Sequence, residues 1–344
     1  MRAARLHGGE RRLRIEDVPV PEPQADQVLV RVAGAGVCRS DLHVLDGMLD
    51  EYLQLPVTMG HEISGWVEAA GPEITDLEPG RAVCVMVGWG CGHCRWCVSG
   101  HEQLCPAGNE AGSTMDGGFA EFVLVPHRRH VIELTSLDPV QATPLGCAAL
   151  SAYAAVKRVR PYIVGGAPVL VIGAGGLGQY AIQLLRALTG ARILSVDSRP
   201  EALARALELG ARDAVPAGAG AAEAVRELTG GEGAAAVLDF VGDGETLPLA
   251  AGAVGRRGIV ALLGLAGGTV PFGFYALAPE ATLTTVWAGT LADLQEVVAL
   301  AETGALSTRV KTYRLEAIHD ALDDLRSGRI DARAVIVPGE RSLA

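Results

Sequence analysis

Apolar residues along this chain change their spacing near residue 150. Before that point they come in short β-branched runs at 27–33, 65–70, 81–87 and 119–125, with Gly and Pro between them. That punctuation predicts a mostly antiparallel β region. After it, compact apolar runs at 169–172, 193–196, 236–240 and 259–263 alternate with stretches of helical spacing at 177–188 and 201–209. Strand alternating with helix predicts a parallel sheet with helices on both faces, an α/β unit. Beyond Trp287 the pattern turns once more, to a helix at 291–301 and a terminal strand at 334–337.

Composition narrows the partners. A chain of 344 residues suits two domains, and 49% hydrophobic with 20% charged residues can bury a sizeable interior. The formal net charge of −11 argues against a nucleic-acid partner, whose phosphates favour a basic face, and against anionic membrane surfaces. The N-terminal residues carry Arg2, Arg5, Glu10, Arg11 and Arg12 and no apolar core of a signal peptide. The longest apolar run, 167–185, is broken by Gly173, Gly175, Gly176 and Gly178. The expectation is a cytoplasmic protein acting on a small molecule.

Gly173-Ala174-Gly175-Gly176-Leu177-Gly178 follows a strand run and opens a helical one, the context a dinucleotide turn requires. Its glycines allow a tight turn, close approach to a pyrophosphate, and close packing of helix on strand. The helix N-terminus then offers free N–H groups to the phosphates. Asp197 lies 24 residues beyond Gly173, at the end of the next strand run. A carboxylate there would accept hydrogen bonds from the adenosine ribose hydroxyls and repel a 2′-phosphate, so NAD is expected over NADP. Arg199 stands nearby as a counterweight.

Seven cysteines occur, an odd number with no export signal, which argues against a disulfide framework. Cys91-x2-Cys94-x2-Cys97-x7-Cys105 supplies four thiolates in one short stretch, with Gly90, Gly92 and Gly100 to bend it. Four protein ligands fill a tetrahedral zinc site, so this zinc would be structural. Cys84 has no partner in sequence and reads as core. Cys38, His61 and Cys147 are further soft ligands, far apart in sequence, and a catalytic zinc needs three such ligands plus an open position. Spacing alone does not join them, because a lone Cys or His is more often packed in a core.

The motifs become specific together. Gly60-His61-Glu62-x2-Gly65-x5-Gly71, the four-cysteine stretch and the glycine turn follow one another in a set order. In this the chain resembles the zinc-containing alcohol dehydrogenases of the medium-chain dehydrogenase/reductase superfamily. It is similar to the bacterial secondary-alcohol enzymes through Gly88-Trp89-Gly90-Cys91-Gly92 and Phe240-Val241-Gly242. The resemblance implies a mostly β, GroES-like catalytic domain over 1–148 and 289–344, and a doubly wound Rossmann domain over 149–288. It implies Cys38, His61 and Cys147 as catalytic zinc ligands, Glu62 beside the metal, and Asp41 orienting His61. Ser40 would hydrogen-bond the substrate oxygen and His43 would carry the proton outward. Arg39 and Arg333 would bind the pyrophosphate, and Ser151 would sit near the nicotinamide. The implied cofactors are NAD and two zinc ions, and the implied assembly is a homodimer or homotetramer.

Two departures stand out. Cys147 occupies a position that is acidic in many bacterial relatives, and the usual Gly-Asp-x-Val turn reads Gly80-Arg81-Ala82-Val83. With aromatic residues at only 4%, Tyr52, Trp89 and Trp287 are the expected linings of a substrate cleft between domains. The expected reaction passes hydride between a primary or secondary alcohol and NAD. A polyol or amino-alcohol dehydrogenase on the same scaffold is the first alternative. A non-catalytic NAD-sensing protein is the second, and the intact Cys38, Ser40, His43 and His61 speak against it.

Overall fold

The computed structural model describes residues 1–339, so the last five residues of the expected catalytic domain lie outside the described residues. The chain folds into two units, Met1–Ala148 with Thr290–Ala344, and Ala149–Gly289.

The first unit is built on a seven-stranded sheet. Its path runs Val131–Glu133, Ala82–Val85, Glu62–Ala70, Val28–Gly36, Arg333–Val337, Val310–Arg314, and Phe122–Val125 also pairs with Val28–Gly36. Most neighbours are antiparallel, but the last two strands on the path, Arg333–Val337 and Val310–Arg314, are parallel. The antiparallel register of Val28–Gly36 on Glu62–Ala70 pairs Gly36 with Glu62. One strand therefore ends two residues before Cys38 at the point where the other starts, directly after His61. Two ligand candidates far apart in sequence thus meet because an antiparallel pair brings one strand's end to its neighbour's beginning. A smaller sheet of Arg14–Asp17, Arg2–Leu6 and Val57–Thr58 and a two-stranded ribbon of Gly88–Trp89 and Asn109–Glu110 complete the unit. Its core includes Leu6, Val30, Met59, Ile63, Phe119, Val123 and Ile336.

The second unit is a six-stranded parallel sheet in the spatial order Asp213–Pro216, Arg192–Asp197, Pro168–Ile172, Ala234–Asp239, Val254–Leu262, Thr282–Thr285. In chain order that is 3-2-1-4-5-6, the doubly wound arrangement whose order reverses between the first and fourth strands. Val169, Leu170, Val171 and Ile172 are all buried, as a central strand covered on both faces requires. Helices Gly178–Leu188 and Pro200–Leu209 pack on each other, as do Ala221–Leu228 and Thr246–Ala253.

The strand and helix runs read from the sequence all appear, with shifted ends. The run at 259–263 extends back to Val254–Leu262, and that at 81–87 contracts to Ala82–Val85. The helix at 291–301 is Leu291–Glu302, closed by a capping box in which Thr290 Oγ1 accepts from Asp293 N (3.0 Å) and Thr290 N donates to Asp293 Oδ2 (2.9 Å). Helices Arg39–Leu45, Ala148–Val159, Ala221–Leu228 and Ile318–Arg326 have no counterpart in the sequence reading.

At Gly65 the two long strands of the first unit leave no room for a side chain, since a Cβ there would overlap the Arg31 carbonyl oxygen. Backbone cannot yield as a flexible side chain can. We expect Gly65→Ala to destabilise the protein by ~1–3 kcal/mol, seen as a lower urea midpoint at unchanged m-value.

Candidate metal centre and dinucleotide turn

The sulfurs of Cys38 and Cys147 and a ring nitrogen of His61 lie within 4.8 Å of one another in the first unit. Cys38 caps helix Arg39–Leu45, and Asp41 closes a capping box by accepting from Cys38 N at 2.7 Å. The other Asp41 oxygen faces His61 Nδ1 at 3.5 Å, while His61 Nε2 lies 3.4 Å from Ser40 Oγ. Helix start, imidazole and hydroxyl are thus fixed by one short turn. His43 follows Ser40 by three residues, nearly one turn further along the same helix.

Crowding two thiols into a buried wall requires charge compensation. Hydrogen bonding from Cys147 and the nearby Arg333 guanidinium hold the Cys38 thiol well below its ordinary value. Cys147 is pushed up in turn, by that shared hydrogen bond and by burial. Burial presses His61 down, but Cys147 and Asp41 outweigh it and keep the imidazole raised. These are soft donors whose acidities depend on one another, the behaviour expected of a set that shares a cation. With only three protein donors the set fits a zinc ion that keeps a position open.

Glu62 and Arg333 pair with each other beside the cluster. Glu62 stands outside the three-residue cluster. Its Oε2 accepts from Arg333 Nε at 2.6 Å and its Oε1 from Ala148 N at 3.0 Å, so both oxygens are engaged. Burial raises its carboxyl although Arg333 opposes this. Arg333, expected at a pyrophosphate, is 3% exposed and turned inward onto this carboxylate, because an unpaired Glu62 would be prohibitive to bury. Gly36 makes the space, since any Cβ there would overlap Glu62.

The four-cysteine stretch forms a second cluster. Its sulfurs all lie within 4.8 Å of one another, with Cys94 3.6 Å from Cys97 and 3.7 Å from Cys105, and Cys91 4.0 Å from Cys97. A tetrahedron with Zn–S bonds of ~2.3 Å has edges near ~3.8 Å. The backbone N–H groups of His93 and Cys94 hold the Cys91 thiol at about 6, favouring the thiolate a metal needs. Glu102, between Cys97 and Cys105, ties this lobe to the sheet. Its carboxylate meets Arg129 Nε at 3.3 Å and His130 Nε2 at 3.2 Å, and Arg129 Nη2 also donates to Gly90 O at 2.5 Å. Burial pushes His130 down to about 3, so the imidazole is neutral and its Nε2–H donates to Glu102.

In the second unit Gly173 adopts a positive φ of 83°, and a Cβ on Gly178 would overlap Gly173 O. Leu177 caps helix Gly178–Leu188, and Gly175 lies close to the Arg199 guanidinium. Asp197 ends its strand and links to the turn, with Oδ2 accepting from Ala174 N at 2.8 Å. Its Oδ1 accepts from Arg199 N at 2.9 Å and faces Arg199 Nε at 3.3 Å. Gly176 is half-buried, Ser151 is buried in helix Ala148–Val159, and Arg39 is exposed.

The aromatic residues expected in a cleft divide. Tyr52 and Trp287 are 67% and 58% exposed, but Trp89 is 2% exposed and packs in the core of the first unit. Its indole serves as core because its ribbon folds its large apolar face inward. Cys84 is fully buried as expected, its thiol pushed up to about 12 by burial.

A family model for an alcohol dehydrogenase GroES-like domain matches residues 24–136, and one for a zinc-binding dehydrogenase matches residues 176–303. An NAD-dependent alcohol dehydrogenase of Sulfurisphaera tokodaii is 36% identical across 98% of this chain and 100% of that protein. This chain belongs to the zinc-binding alcohol dehydrogenase family of the medium-chain dehydrogenase/reductase superfamily. The crystal structure of the alcohol dehydrogenase from Aeropyrum pernix superposes on this family member with a TM-score of 0.93 at 36% identity, covering 98% of this chain and 100% of that one. A D-arabinose 1-dehydrogenase (NADP(+)) of Saccharolobus solfataricus is likewise 36% identical, over 98% of this chain and 97% of its own length. Among the described residues no helix is long and apolar enough to cross a membrane.

The buried Glu62–Arg333 pair can be tested by thermodynamics. Arg333→Met alone leaves a buried carboxylate unpaired and should cost ~3–5 kcal/mol in chemical denaturation, while adding Glu62→Gln should restore much of it. Separately, Cys38→Ser and Cys97→Ser should each lower the metal count by elemental analysis from two zinc ions per chain to one.

Proposed function

We propose that this chain oxidises primary or secondary alcohols to aldehydes or ketones, and catalyses the reverse reduction, with NAD as the hydride partner. The observation that carries this reading is the three-donor cluster of Cys38, His61 and Cys147 with Ser40 and His43 beside it. A zinc ion held by these three residues supplies Lewis acidity, which moves an alcohol's pKa towards neutrality as it does that of water, to ~7.

The chain's own groups then handle the proton. Ser40 Oγ, next to His61, accepts the hydrogen bond of the substrate hydroxyl and passes its proton on. His43 is the outer acceptor. Burial, followed by the Arg39 charge, holds its imidazole below the ordinary range, so it is neutral and ready to accept near pH 7. Asp41 fixes the start of the helix that carries both groups, and the Glu62–Arg333 pair makes a rigid back wall.

The glycine turn Gly173–Gly178 and the N-terminus of its helix would receive the pyrophosphate, and Asp197 the adenosine ribose. Asp197 favours NAD because its charge opposes a 2′-phosphate. The same site with additional hydroxyl-binding groups would serve a polyol, a reading supported by the likeness to D-arabinose 1-dehydrogenase. A homodimer or homotetramer in the cytoplasm belongs to this proposal on the family resemblance, and sedimentation equilibrium checks the assembly.

The deciding test is NADH formation over aliphatic, aromatic and polyhydroxy alcohols, with zinc counted in the same sample. Full zinc loading with no NADH from any alcohol would end the proposal. Cys38→Ser should abolish turnover while NAD still binds. In the wild type, kcat/KM for oxidation should fall as acid protonates His43, with a midpoint below ~6.5. His43→Gln should remove that limb and slow oxidation by ~100-fold. Asp197→Ala should weaken NAD and narrow its advantage over NADP, read from the two KM values.

A further inference from the structure

Strand register brings Cys38 to His61, but Cys147 lies on neither strand. It follows the short helix Pro139–Ala142 and the 3₁₀ turn Thr143–Gly146, elements too short to be stable unaided. Side chains of the strand Glu62–Ala70, which starts directly after His61, fasten this segment on both sides of the cysteine.

On the upstream side Ser64 Oγ donates to Pro139 O at 2.5 Å and lies 2.6 Å from Thr143 Oγ1, which is itself 3.2 Å from Pro139 O. With its single proton on the carbonyl, Ser64 accepts from Thr143. On the downstream side Ala148 N donates to Glu62 Oε1 at 3.0 Å. Glu62 and Ser64 alternate along their strand and so share one face of it. Between these two points Gly146 lies against the next strand, where a Cβ would come within 2.9 Å of Val85 O. Ser64 and Thr143 are both 0% exposed. The opposite strand makes room for them. Register sets Gly34 across from Ser64, and a Cβ on Gly34 would overlap Thr143 Oγ1.

Burial alone does not call for hydroxyls in this wall, where Ala33, Val140 and Val335 form an apolar cluster. Replacing both members of a buried hydrogen-bonded pair by apolar groups of the same shape is nearly neutral in stability. What the bonds add is direction, because a satisfied buried network permits one arrangement where apolar contacts permit several. We infer that Ser64 and Thr143 are positioning residues for the metal centre, a hydroxyl clamp that acts with Glu62 on Ala148 to hold Cys147 beside His61. Neither belongs to the three-donor cluster, so both act through the backbone that leads into Cys147. This rests on the reading of the cluster as a zinc site. A site with three protein donors has no fourth to retain the ion when one drifts, so the clamp governs metal retention.

The test follows zinc loss from the zinc-loaded protein to an excess of a chromophoric chelator, 4-(2-pyridylazo)resorcinol. Cys38→Ser, which keeps only the zinc of the four-cysteine lobe, gives that ion's release curve for subtraction. Thr143→Val, which keeps the shape and removes the hydroxyl, and Ser64→Ala should each release the cluster's zinc about 10-fold faster than wild type. The double variant should be no faster than either, because the two hydroxyls act as one unit. Thr143→Ser, which restores the hydroxyl, should release zinc close to the wild-type rate. The lobe's zinc should leave at the wild-type rate throughout, which a general loosening of the first unit would not allow. Wild-type release in both Thr143→Val and Ser64→Ala overturns this inference and leaves the dehydrogenase reading standing. Equal acceleration of both ions, or a Thr143→Ser variant as fast as Thr143→Val, overturns it in the same way. A wild type that never holds more than one zinc overturns the zinc reading of the cluster as well. If Thr143→Val does not fold, Ser64→Ala carries the same comparison. Failure of both to fold makes the pair a requirement of the fold instead of the metal centre and overturns the inference.

Discussion

Two cysteine sulfurs and an imidazole from residues 38, 61 and 147 share a space 4.8 Å across in a mostly buried wall. A thiolate held in such low-dielectric surroundings is costly unless positive charge or hydrogen bonds compensate it. The first unit is arranged around that compensation. The register of two long strands brings Cys38 to His61, Asp41 fixes the turn between backbone and ring, and the Arg333 guanidinium supplies positive charge from behind. Arg333 can remain there only because Glu62 neutralises it, and Glu62 fits only because Gly36 has no side chain. The sequence of dependence thus runs from a missing methyl group to the acidity of a thiol.

How much of this could be read in advance depended on whether the physical signal was local. The parallel sheet was legible because strands buried on both faces leave unbroken apolar runs, as in Val169–Ile172. The four-cysteine lobe was legible because its ligands lie within one short loop. Helix Arg39–Leu45 was not, since it has seven residues and its cap is a cysteine, without a Ser or Asp to mark it. Helix Ala148–Val159 is Ala-rich, and Ala marks no face. The three-donor site is assembled by sheet register between distant strands, which spacing cannot show, so it came from family resemblance.

The individual side chains show the same limit. Arg333 sits on a terminal strand that pattern alone identified, yet its partner is Glu62, 271 residues away. Scarcity of aromatic residues points Trp89 towards a cleft, whereas its burial places it against the core of the first unit. The hydrogen bonds from Gly117, Gly118 and Phe119 to the segment before His61 show which way the loop after the cysteine stretch folds back.

The link through Glu102 has a consequence for how the molecule comes apart. His130 directly precedes strand Val131–Glu133, an outer strand of the seven-stranded sheet, and its backbone carbonyl also accepts from Met86 N at 2.8 Å. The cysteine lobe is therefore not a bead on a tether. Its carboxylate grips the sheet's rim through an arginine and an uncharged imidazole, so loosening the sulfur cage pulls on the strand that borders it. One carboxylate thus joins the cysteine lobe to the rim of the sheet through two neighbouring residues, Arg129 and His130.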